Sequence, residues 1–89
     1  MLSIVKTTAF KKDFKRILKQ GKDPTLIKNI IFDLKEEKDL DKKYKDHNLI
    51  CNYKDKRECH ILSDWLLIYE INGNELVLHR TGSHSELFR

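Results

Sequence analysis

Four histidines occupy the second half of this 89-residue chain, at His47, His60, His79 and His84. His47 precedes one expected strand, His60 lies within the next, and His84 falls in the tail just after the last, so neighbouring strands can bring these three together. Asp64 and Arg80 lie close to the same positions. Successive side chains of a strand alternate, so His79 points away from Arg80 and stands apart from the set as a structural residue. Histidines, a carboxylate and an arginine suit one reaction well, the cleavage of RNA. A base removes the ribose 2′-OH proton, the oxygen attacks the adjacent phosphate, and an acid protonates the departing 5′-oxygen. Arginine can hold the phosphate charge through paired hydrogen bonds. The same residues also fit a polar sheet edge without catalysis, and type and spacing alone leave both readings open.

A metal site is not expected. His47 and Cys51 would stand about 13 Å apart in an extended strand, and Cys59 and His60 face opposite ways. Neither pair has the spacing of a structural zinc site. Cys51 and Cys59 form no CxxC and read as reduced, buried thiols.

The elements that must position these residues follow from periodicity. Residues 2–7 (LSIVKT) alternate as a first strand, and Phe10, Phe14, Ile17 and Leu18 recur at helical spacing over about Ala9–Gln20. Gly21 suits a left-handed position after that helix, and Asp23-Pro24 supplies an N-cap and a first-turn proline. Leu26, Ile27, Ile30, Ile31 and Leu34 then form one stripe, giving an antiparallel helix pair. KDLDKKYKD reads as an exposed charged loop. Strands are expected near Leu49–Lys54, Arg57–Leu62, Trp65–Ile71 and Glu75–Thr81, with turns at Ser63-Asp64 and Asn72-Gly73-Asn74. Their connections are too short for crossovers, which makes them an antiparallel meander. The expected architecture is α+β, β-α-α-β-β-β-β, in one domain over residues 1–89. Trp65 is read as core. The closing RTGSHSELF is expected to be too short and too glycine-containing for a stable helix.

The net charge of +4 hides an asymmetry: residues 1–22 carry seven Lys/Arg against one Asp, and the remainder sums to −2. A one-sided basic face suggests a polyanion such as nucleic acid, although a solvated lysine face would look the same. No apolar run approaches the roughly 18 residues of a membrane span, and the N-terminus lacks the pattern of a signal peptide, so a cytoplasmic protein without a membrane partner is expected.

The stretch YKDHNLICNYKDKRECHILSDWLLIYE, followed by ELVLHRTGSHSELF, resembles the YafQ family, a branch of the RelE-like bacterial toxins that cleave mRNA on translating ribosomes. The motifs DH, RECH, DWLLIY and RTGSHSELF occur in the family's order and approximate spacing, while the N-terminal half matches more loosely. The resemblance implies a RelE-like fold, with the strand and helix pair packed on an antiparallel sheet. It implies site residues His47, His60, Asp64, His84 and Arg80, with Phe88 on or near a base. It gives no role to His79. Cys51 stands where many relatives have glycine, a departure that removes no catalytic residue.

On this reading Asp64, assisted by His47 or His60, activates the 2′-OH, His84 is the general acid and Arg80 clamps the phosphate. Lys11, Lys12, Lys15, Arg16 and Lys19 would anchor the protein on ribosomal RNA at the decoding site. The implied protein is the metal-independent, cofactor-free toxin of a type II toxin-antitoxin pair. A DinJ-like antitoxin would hold it inactive, and operator DNA would be contacted only through their complex. The competing reading is a noncatalytic RelE-fold module that binds RNA or DNA and acts with an antitoxin in transcriptional autoregulation.

Overall fold

Thr7 ends a strand and starts a helix with one side chain. In the computed structural model, which describes residues 1–49 and 55–88, β1 is Ser3–Lys6 and α1 is Thr8–Lys19. The Thr7 hydroxyl accepts the Phe10 N–H at 3.0 Å and donates to the Leu78 carbonyl at 3.1 Å. It thereby satisfies a donor left over at the helix start and ties that start to the sheet, a cap worth about 1 kcal/mol. Gly21 takes the left-handed position after α1, with φ 80°. Asp23 then accepts the Thr25 N–H and Pro24 opens α2, Pro24–Lys35. The charged loop that follows contains one 3₁₀ turn, Lys42–Tyr44, capped by Asp41. It is not wholly solvated, because Leu40 and Tyr44 pack on the core.

The remaining strands are β2 His47–Asn48, β3 Arg57–Leu62, β4 Trp65–Asn72 and β5 Glu75–Gly82. They run antiparallel to one another, and β1 joins β5 in parallel, so the sheet is mixed with order β1-β5-β4-β3-β2. Of the strand expected over Leu49–Lys54 only Leu49 is described, directly after β2. Residues 50–54, including Cys51, lie outside the described residues.

The helices cover one face of the sheet. Phe10 and Ile17 from α1 and Ile27, Ile30 and Leu34 from α2 bury against Trp65, Leu67, Tyr69, Leu76 and Leu78. Trp65 is core, as expected, and its indole N–H donates to Thr81 Oγ1 at 2.9 Å. Ile71, at the far end of the same alternation, stays 49% exposed. No helix among the described residues is long and apolar enough to cross a membrane.

The tail corrects the sequence expectation. Residues His84–Leu87 form a one-turn helix, α3. Its capping box is complete: Ser83 Oγ accepts the Glu86 N–H at 3.2 Å and Glu86 Oε1 accepts the Ser83 N–H at 2.8 Å. A single turn is unstable by itself, but Leu87 is buried beside Leu66 and Ile68 on the sheet face away from α1 and α2.

Candidate active site

Strand register assembles the site. His47 lies opposite Glu58, Glu58 opposite Ile68, and Ile68 opposite Arg80. The next row carries His60, Leu66 and Gly82. Opposed residues share a face, so these side chains stand on the face that α3 covers. Three imidazoles form a chain there. The His47 and His60 ring centroids are 6.2 Å apart, His60 and His84 5.7 Å, and His84 and Phe88 6.3 Å. His60 therefore stands between the other two histidines, and Phe88 extends the row.

Each histidine is oriented by a different oxygen. His47 Nδ1 lies 2.6 Å from the Lys45 carbonyl. A carbonyl can only accept, so Nδ1 carries the proton and Nε2 of the neutral ring keeps a lone pair. The two-residue strand that presents His47 is held from both sides. The Tyr69 hydroxyl donates to Asp46 at 2.6 Å, Arg57 Nε donates to Asp46 at 3.2 Å, and Arg57 Nη1 donates to Asn48 at 2.7 Å. His60 Nε2 is 3.2 Å from Glu58, whose carboxylate is nearly buried.

Asp64, in the β3–β4 turn, meets His84 twice through one oxygen. Its Oδ1 accepts the His84 backbone N–H at 2.9 Å and lies 2.9 Å from His84 Nδ1. The backbone N–H, and then the ring, hold the Asp64 carboxyl below its usual value. A carboxylate stabilised in this way is a weak base but a good orienting partner for His84.

Arg80 enters the site through its backbone row, while its guanidinium turns to the open edge of β5. There it is gripped by the buried Asp13, with Nε–Oδ2 at 2.6 Å and Nη2–Oδ1 at 3.2 Å. Asp13 also accepts from Arg16 at 2.8 Å and from the Thr81 N–H at 3.1 Å. Burial opposes its charge, yet Arg80, Arg16 and Thr81 together outweigh burial and keep the carboxyl below its ordinary range. Arg16 continues to the Thr81 carbonyl at 2.9 Å and to Glu86 at 3.0 Å. It brackets α1 to α3, unlike Lys11, Lys12, Lys15 and Lys19, which are exposed. Gly82 permits that bracket, since a Cβ there would meet Arg16 Nη2 at 2.5 Å.

Two of the residues singled out stand away from the row. His79 is the unpaired residue of a bulge in β5, where Tyr69 opposes Leu78 and Ile68 opposes Arg80, and it bonds Glu70 at 2.9 Å. Cys59 is buried, and burial pushes its thiol up to about 12, leaving it inert.

Two residues that sequence reasoning passed over prove central. Glu58 precedes His60 by two positions in RECH, so period-two alternation alone puts both on one face. Asp13 gave no comparable signal, because apart from Arg16 its contacts lie 67 and 68 residues away along the chain. Glu58 also changes the metal question. One donor atom each from Glu58, His60 and His84 lie within 4.8 Å of one another, so this trio can hold a divalent ion. The pairs weighed from the sequence did not include it.

The architecture, a strand and helix pair on a sheet whose other face carries this row, is the RelE-like α+β fold. Residues 2–89 match the family model described as the bacterial toxin of type II toxin-antitoxin systems, YafQ. The chain belongs to the YafQ family. It is 38% identical over 80 residues to the mRNA interferase toxin YafQ of Escherichia coli strain B / BL21-DE3, covering 89% of this chain and 87% of that protein. Among solved structures it resembles a metal-bound toxin from Helicobacter pylori, with TM-score 0.93 and 47% identity over 99% of this chain and 100% of that one. The E. coli DinJ-YafQ complex matches with TM-score 0.92 and 34% identity over the full length of both chains.

Proposed function

We propose that this toxin is a ribosome-dependent endoribonuclease that cuts mRNA by acid-base attack of the ribose 2′-OH. One observation carries the reading: three imidazoles in a row, each oriented by its own oxygen. His47, whose Nε2 lone pair faces away from the Lys45 carbonyl, takes the 2′-OH proton. His84, backed by the Asp64 carboxylate, gives a proton to the departing 5′-oxygen. His60, paired with Glu58, sits between them, where the charge of the five-coordinate phosphorus develops. Arg80, gripped by Asp13 through Nε and Nη2, braces β5 against α1 on this reading, in place of the phosphate clamp expected from sequence. Asp64 is read here as an orienting residue instead of the base expected from sequence, since the His84 contacts through Oδ1 hold its carboxyl below the usual range and weaken it as a base.

All of these roles are filled by side chains of the protein, and we infer that no metal is required. An ion seated on Glu58, His60 and His84 would withdraw His84 from proton transfer and His60 from the developing charge. The relatives named as mRNA interferases and the DinJ-YafQ complex support an activity on mRNA and a DinJ-like antitoxin as partner. Operator DNA would be met only within that complex, and the work is cytoplasmic because ribosomes are there. Lys11, Lys12, Lys15 and Lys19 would contact ribosomal RNA, while Arg16 serves the α1–α3 bracket.

The test is the chemistry of the product ends. Cleavage by this route leaves a 2′,3′-cyclic phosphate and a 5′-hydroxyl, and it proceeds in the presence of 1,10-phenanthroline, which removes transition-metal ions and leaves the ribosome its Mg²⁺. A 2′-deoxy residue at the cut site should abolish it. Cleavage of that deoxy substrate, or complete loss of activity with phenanthroline, would contradict the mechanism.

A further inference from the structure

Beside His60 the surface opens into a pocket of about 410 Å³ that the roles above leave unused. Its walls include Lys43, Tyr44, Lys45, Leu62 and Ser63, and none of its lining residues is acidic. The volume lies in the range of pockets that take a small organic ligand, roughly 300–1,000 Å³. Its chemistry is that of a single-stranded nucleotide site. Two lysines suit a phosphate, an aromatic ring with neighbouring leucines suits the flat face of a base, and a hydroxyl suits a base edge or ribose. Tyr44 is half-buried on the core, so its position is fixed, and Lys43 Nζ stands 5.1 Å from its ring centroid.

The pocket is physically continuous with the reactive row on both sides. His60 lines it directly. The register of β3 shifts between His60 and Leu62, and a bulge of this kind redirects side chains at a strand end. On the other side, Lys45 supplies both a wall of the pocket and the carbonyl that fixes the His47 tautomer. Lys45 is held in the left-handed region, φ 49°, at the end of the 3₁₀ turn. A nucleotide seated against Lys45 would therefore bear on His47 through two covalently joined residues.

We propose that this pocket is the subsite for the mRNA nucleotide flanking the scissile phosphate, and that its occupant contributes to the choice of cut site. The inference rests on the reading of the histidine row as an RNA-cleaving centre. Two measurements test it. In the first, an RNA trinucleotide is titrated into the wild-type protein and amide shifts are followed by NMR. Shifts centred on Tyr44, Lys45 and Ser63 are expected. In the second, Lys43→Ala/Lys45→Asn, which keeps a residue tolerant of left-handed backbone at 45, is compared with the charge-matched Lys28→Ala/Lys35→Ala on programmed ribosomes. The pocket variant should lose about tenfold in kcat/KM, mostly through KM, as expected for charge-assisted contacts near solvent. Its binding should depend less on salt, by a slope of about 1.4 for two phosphate contacts on a single strand. Its cut sites should be redistributed, and those of the control should not.

Equal losses in both variants, or no amide shifts at the pocket, would overturn the proposal. Amide shifts with an unchanged set of cut sites would also overturn it, by making the occupant a ribosomal nucleotide. If the wild-type protein cuts nothing, the reading of the row fails, and the trinucleotide titration still decides whether the pocket binds RNA.

Discussion

The chemistry separates two groups that share one hydrogen-bonded unit, His84 and Asp64. His84→Ala should retain ribosome affinity and lose about 10²–10⁴-fold in cleavage rate, the usual contribution of a positioned acid. Asp64→Asn keeps an oxygen for the His84 backbone N–H but removes the negative charge behind the ring, so its rate should fall between wild type and His84→Ala. Single-turnover cleavage on programmed ribosomes measures both. An Asp64→Asn loss as large as that of His47→Ala, with His84→Ala fully active, would return the proton-abstracting role to Asp64. At this scale the sequence was informative wherever alternation applied. His47, His60 and His84 fall together as strand order requires, and Glu58 was available from its spacing to His60. The double contact of Asp64 with His84 was not legible, because it depends on one oxygen being used twice by a residue 20 positions away.

Among the elements, the tail departs most from expectation, and the reason lies in what it rests on. Gly82 and the short length argue against a helix, yet Ser83-x-x-Glu86 is a capping box, a signal visible in SHSE. Tertiary contacts supply the rest: Leu87 buries against β4, and Glu86 receives Gln20 at 3.0 Å as well as Arg16. The Ser83 N–H first, and then Gln20, hold the Glu86 carboxyl down at about 2, against an ordinary 4.5. A depressed folded-state pKa stabilises above the unfolded value and is lost as pH falls through the folded one. The docking of α3 through Glu86 should therefore be fully present above pH 4.5 and be lost between about 4.5 and 2. NMR signals of the Leu87 methyls, followed through that range, should report undocking before the core signals of Ile27 or Leu67 change. Simultaneous loss of both would show that Glu86 is no local latch. The helices and strands β3 to β5 were legible because caps, turns and apolar periods agree there. The parallel pairing of β1 was not, since nothing local in LSIVKT specifies which edge it joins.

For the molecule as a whole, the basic face and the histidine row occupy different parts of one small fold, and the α1–α3 bracket connects them. The exposed lysines of α1 give a face suited to ribosomal RNA, and phosphate contacts fix position without reading sequence. The histidine row lies on the other face of the sheet. This division predicts that Lys11→Glu/Lys12→Glu/Lys15→Glu weakens ribosome binding and flattens its salt dependence. The product ends made by the ribosomes that remain bound should be unchanged. The most direct test of the account is primer extension on a defined mRNA incubated with the purified toxin, once with translating ribosomes and once as naked RNA, with His84→Ala alongside. Cuts confined to the ribosome lane and absent with the variant are the predicted result. Undiminished cutting by His84→Ala, or no cutting in any lane while ribosome binding persists, would contradict it and leave the fold as a binding module.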